Sequence, residues 1–146
     1  MEVFARRMET QAMTIETESI VIATTVEQIL TFFKAPSNLE QILPEGRFQD
    51  FRSNETSCNF KIQGGIEISL QLSQLQENFI EFKSGPNSPI EFTLLINLKL
   101  IPGAIQGKLV FSAETNSFVT MLIKNPLQSL FKDMGNNLKR VMESGI

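Results

Sequence analysis

The chain has 146 residues, 42% of them apolar and 20% charged, with a formal net charge of −3 at pH 7. That suffices for one domain with a real core, and without a clustered run of Lys and Arg it excludes the footprint of a nucleic-acid or anionic-membrane binder. There is no His, Trp or Tyr, which removes Ser-His-Asp and Cys-His chemistry, His-bearing zinc and haem sites and imidazole general-base catalysis.

A lone cysteine, Cys58, cannot form an internal disulfide; nothing points to an oxidising compartment, and a cytoplasmic protein is expected. No apolar run approaches the roughly 18 residues of a membrane span, and the start MEVFARRMETQAM lacks the apolar core of a signal peptide. Because Met8 and Met13 both precede the first strand-like segment, residues 1–13 are expected to be a disordered leader or an overlong start that packs against nothing.

The β-branched segment 14–22, TIETESIVI, reads as a first strand. Thr24 with Glu27 makes a capping box, and Val26, Ile29, Leu30 and Phe33 recur at helical spacing, so a short helix is predicted over about 25–33. Pro36 stops it and opens a second brief helix marked by Leu39, Ile42 and Leu43, which Pro44 and Gly46 end.

A sheet follows in which each strand has an assignable face. Cys58, Phe60 and Ile62 alternate with polar neighbours; after a predicted two-residue turn at Gly64-Gly65, Ile66, Ile68, Leu70 and Leu72 do the same. Segment 79–84 places Ile80 and Phe82 opposite Glu81 and Lys83, and the loop GPNSP at 85–89 breaks the chain. In 90–100, Phe92, Leu94, Ile96, Leu98 and Leu100 share a face with only Leu95 out of step. Pro102-Gly103 fits a type II turn, after which Ile105, Leu109, Phe111 and Ala113 continue the apolar face.

The run 118–123 is too short to assign by period. It leads into 125–142, NPLQSLFKDMGNNLKRVM, with Asn125 as predicted N-cap and Pro126 at the first helical position. Leu127, Leu130, Phe131, Met134, Leu138, Val141 and Met142 form one apolar stripe that must be buried. The fold class predicted is therefore α+β: a curved antiparallel sheet of about seven strands around a long C-terminal helix, with two short helices after the first strand.

From about Thr14 onward, the strand and cap leading into VEQILTFF, the NLEQILP segment and the terminal NPLQSLFKDMGNNLKRV resemble the START, polyketide-cyclase and birch-pollen-allergen superfamily, whose fold is the helix-grip. The resemblance implies a cavity between sheet and last helix that takes a lipid-, sterol- or polyketide-like molecule. The wall it implies consists of Phe60, Ile62, Leu70, Phe82, Leu94, Leu98, Leu109 and Phe111 from strands and Leu130, Met134, Gly135 and Leu138 from the helix. The alternative for each is that it simply fills the core.

Gly135 stands mid-helix, where glycine costs roughly 0.5–1 kcal/mol relative to alanine, so a close approach is expected there, by a strand or loop backbone before a ligand. Cys58 reads as a small buried hydrophobe, and Glu67, Glu81, Glu91 and Glu114 take the solvent-facing register. Asp50 and Arg52 read as a solvated surface pair, Gly64-Gly65 as a turn without the Lys-Ser/Thr of a phosphate loop, and Lys139 and Arg140 as complements to the helix dipole. The expected function is binding, carrying or sensing a small apolar ligand, with no cofactor or metal. The alternatives are a cyclase- or dehydratase-like enzyme on such a ligand, and a protein-interaction module with a filled core and an apolar surface around 118–123.

Overall fold

The alternation along 57–115 closes into an antiparallel sheet in the computed structural model, which describes residues 11–86 and 88–144. In chain order the elements are β1 (Gln11–Glu16), β2 (Ile20–Ile22), α1 (Val26–Lys34), a 3-10 helix (Pro36–Gln41), β3 (Gln49–Ser53), β4 (Ser57–Ile62), β5 (Ile66–Leu75), β6 (Phe79–Ser84), β7 (Phe92–Ile101), β8 (Ala104–Thr115) and α2 (Ser117–Ser144). The strand order is β1-β8-β7-β6-β5-β4-β3, with β2 also pairing β8, giving eight strands. This is the predicted helix-grip arrangement, with α1 and the 3-10 helix as the two short helices.

The first strand differs from its prediction. It begins at Gln11, buries Met13, and divides into β1 and β2, both paired with β8. At the break, the Thr17 hydroxyl accepts a hydrogen bond from Leu109 N at 3.0 Å, and Thr17 N donates to Leu109 O at 3.0 Å. A side chain thus takes over the ladder where the backbone leaves it. The rest of the expected leader, residues 1–10, lies outside the described residues.

The cap of α1 is Thr25, one residue later than predicted: its hydroxyl accepts from Gln28 N at 3.2 Å, while Thr24 donates to the Gln28 side chain at 2.6 Å. The β4–β5 link has three residues, Gln63–Gly65, because Ile62 pairs with Ile66. Gly64 and Gly65 both take positive φ, 86° and 75°, a conformation that L side chains rarely adopt. On β7 the inward register holds from Phe92 to Leu98, but Leu100 runs past the core and is 74% exposed.

The largest correction concerns α2. Its cap is Asn116, whose side chain accepts from Val119 N at 2.9 Å, so the unassigned run 118–123 is its first turns and Pro126 lies inside it. The proline removes the N–H that would bond the Leu122 carbonyl, and Leu122 is an exposed residue on the solvent side. Water can serve there, and the helix continues.

The buried stripe of α2, including Leu127, Leu130, Phe131, Met134 and Leu138, faces the concave side of the sheet. Phe111 of β8 meets Phe131 of α2 with ring centroids 5.4 Å apart, and Phe33 of α1 meets Phe82 of β6 edge-on at 6.2 Å. Polar ties fix the helix on both flanks. Asn137 donates to Ile42 O at 2.9 Å and Arg47 reaches Asp133 and Ser129 on one side; Lys139 donates to Val21 O at 2.7 Å on the other. Among the described residues no helix is long and apolar enough to cross a membrane.

Candidate functional site

The wall between sheet and helix is built from four directions. The inward register of the sheet supplies Phe82, Leu94, Ile96, Leu98 and Leu109; α2 supplies Met134, Gly135 and Leu138. The short elements supply the rest: Ile20 and Ile22 from β2, Ile29 and Phe33 from α1, and Leu39 and Ile42 from the 3-10 helix and its end. Together they line a partly open cavity of about 40 Å³.

That volume sets the chemistry. A single water needs about 10–15 Å³ on this measure together with polar partners, whereas ligand sites typically span about 300–1,000 Å³. The lining offers almost none of the polar partners water would need, since only Thr17 and Lys108, at the rim, carry polar side chains. Lys108 is itself ion-paired with Glu16. Neither Asp nor Glu lines the cavity among the described residues.

Of the residues singled out from the sequence, Phe82, Leu94, Leu98, Leu109, Met134, Gly135 and Leu138 meet at this cavity. The others take different places. Phe60 stacks on Phe51 at 6.2 Å, Phe111 sits between Phe92 and Phe131, and Leu70 is buried within the sheet core. Ile62 and Leu130 line a separate depression of about 230 Å³ beside Arg47, Phe48, Lys61 and Pro126. The residues missed, Ile20, Ile22, Ile29, Phe33, Leu39, Ile42 and Ile96, come mostly from segments to which sequence periodicity assigned no face toward the sheet. The i, i+4 pair Ile29 and Phe33 carried that signal.

Gly135 has a definite neighbour. A Cβ placed there would stand 2.6 Å from Ile20 Cδ1 and 3.9 Å from Ile20 Cγ1. The close approach is made by a side chain, in place of the backbone or ligand expected. Ile20 also pairs across the sheet with Gly107, a second residue without a side chain that lines the cavity.

Other candidates are structural. Cys58 is fully buried outside the cavity, and desolvation pushes its thiol up to about 12, which keeps it protonated. The Asp50 and Arg52 side chains do not pair with each other: Arg52 donates to the Asp50 carbonyl at 3.1 Å and bonds Glu67 at 2.6 Å, and the Asp50 carboxylate meets Lys61 at 3.5 Å. Asp50 takes φ 55° where the β3–β4 register shifts, a left-handed conformation that short polar residues tolerate. Lys139 bonds both Val21 O and Glu143, and Arg140 donates to Asn137.

No family model and no curated protein matches the chain. Solved structures do. A norcoclaurine synthase point mutant from Thalictrum flavum, in complex with a transition-state analogue, aligns with a TM-score of 0.70 at 12% identity, covering 93% of this chain and 97% of that one. TTHA0849 from Thermus thermophilus gives 0.71 at 12% identity over 91% and 99%, and the Aha1 dimer from Colwellia psychrerythraea 0.65 at 15% over 91% and 98%. The chain has the helix-grip fold of the START and birch-pollen-allergen superfamily.

Proposed function

We propose that this helix-grip chain binds a small apolar molecule between its sheet and its last helix, acting in the cytoplasm as a carrier or sensor. The observation that supports the reading is the cavity beside Gly135, walled by aliphatic and aromatic side chains of the sheet, the short elements and the helix. Its 40 Å³ admits few heavy atoms at rest. A larger guest requires Ile20 and Met134 to move; the unbranched Met134 can re-pack, and Ile20 has its terminal χ2 rotation against the bare face of Gly135. Norcoclaurine synthase, of the same fold, has been captured with dopamine and hydroxybenzaldehyde, so the architecture accommodates small organic guests. Cyclase-like chemistry has less support, because the lining holds no acid or base beyond the rim lysine.

Native mass spectrometry of the purified protein tests this. The wild type should carry an apolar adduct that Met134→Phe, which fills the cavity, releases while keeping wild-type stability. Adduct-free wild type, with no benzene-induced shift of the Leu94 or Leu138 methyl resonances, would exclude the reading.

A second reading rests on a different observation. Phe118, Met121 and Leu122, at i, i+3 and i+4 on the first turns of α2, are 70%, 80% and 55% exposed. Such a face suits a protein contact, and a relative of this fold, Aha1, has been solved as a dimer. Replacing all three by Ser should abolish any concentration-dependent association in sedimentation velocity; wild type that stays monomeric to millimolar concentration argues against self-association.

A further inference from the structure

We infer that residues 17–23 form the door of the cavity, with Ile20 as its bolt and a two-residue latch on α2; the proposal rests on the cavity being a binding site but is tested without a ligand. Thr17 and Ile20 line both the inner apolar cavity and a polar surface groove between β2 and α2, so one layer of side chain separates the two. The Ile20 side chain lies against Gly135, which has no side chain to obstruct its swing.

The segment is weakly held by the sheet. β2 makes three rungs with β8 and is cut off from β1 at residues 17–19, where the Thr17 hydroxyl and N–H make the last bonds to Leu109. Its remaining fastenings are to the helix. Lys139 Nζ donates to Val21 O at 2.7 Å, Glu143 Oε2 accepts from Ala23 N at 3.0 Å, and the two side chains pair at 2.8 Å. Both latch residues are half-exposed, so releasing them loosens the Ile20 end of the segment while Ile22, 2% exposed and opposite Ile105, stays anchored in the core. The way in therefore runs between β2 and α2, at the half-buried Ile20 end of the strand beside the break at 17–19.

Thiol labelling tests it. In a Met134→Cys chain, position 134 reports the cavity and the native Cys58, fully buried away from it, reports opening of the core. Adding Lys139→Met with Glu143→Ala should speed methanethiosulfonate labelling at 134 by about ten-fold, as expected for losing one or two net hydrogen bonds, while Cys58 stays within about two-fold. Ile20→Ala should act likewise. Equal acceleration at both thiols, or none at 134, overturns the door. Selective acceleration in a chain that retains no apolar adduct would uphold the door and remove the binding reading.

Discussion

Gly135→Ala measures how freely the door segment moves. In the interior of the 28-residue α2, the substitution gains roughly 0.5–1 kcal/mol of helix propensity. Against that, the new methyl arrives 2.6 Å from Ile20 Cδ1 and forces it back by about 1 Å, at a cost of order 0.5–1.5 kcal/mol for an off-rotamer side chain. The two nearly cancel, so urea unfolding should show a change within about 1 kcal/mol of either sign at unchanged m-value. In an Ile20→Ala background the clash is gone and only the propensity gain remains. The double-mutant cycle should then return a coupling of roughly 0.5–1.5 kcal/mol. A loss beyond about 2 kcal/mol would refute the reasoning, since it would mean that Ile20 and β2 are rigid where a door has to yield.

Other outcomes follow from the same contacts. Phe82→Ala removes a fully buried ring that meets Phe33 edge-on, and should destabilise the fold by about 3–5 kcal/mol in denaturant titration; a cost below about 1.5 kcal/mol would mean that the cavity wall can collapse. Arg47→Ala breaks the contacts to Asp133 and Ser129, but the pair is substantially exposed, so the expected loss is under about 1 kcal/mol and should shrink between roughly 0.05 and 0.5 M salt; salt-independent loss would point to packing instead. Glu143 is held below its ordinary 4.5 first by the hydrogen bond from Lys139 and then by Ala23 N–H. Its contribution is therefore complete above that ordinary value and is lost as pH falls through the lowered one. The protection factor of the Ala23 amide should be flat between about pH 6 and 8 and decline below about pH 4.5; decline at neutral pH would contradict the assignment.

Periodicity located the sheet faces well because a one-residue slip would move Phe82, Leu94 and Phe111 from core to water. It located α2 from Leu127 onward for the same reason. It failed at the start of that helix, where Pro126 looked like a first helical residue and Phe118, Met121 and Leu122 show an apolar stripe that no core requires. The break at 17–19 was hidden as well, since a hydroxyl replacing one ladder bond leaves the β-branched composition of TIETESIVI unchanged. At the cavity, the residues on strands and α2 were legible by register. Those from β2, α1 and the 3-10 helix were not, because which wall a short amphipathic element covers depends on how the chain crosses the sheet.

Both edges of the sheet also bear on how the chain behaves at high concentration. An open sheet ends in unpaired N–H and C=O groups that invite another chain to add a strand. On one side β3 is only five residues long, is bent at Asp50 where its register with β4 shifts, and carries charged Asp50 and Arg52. On the other, β1 runs for six residues before the interruption at Thr17. Among the described residues neither edge presents a long straight template, so the irregularity at the Thr17 margin also works against edge-to-edge aggregation.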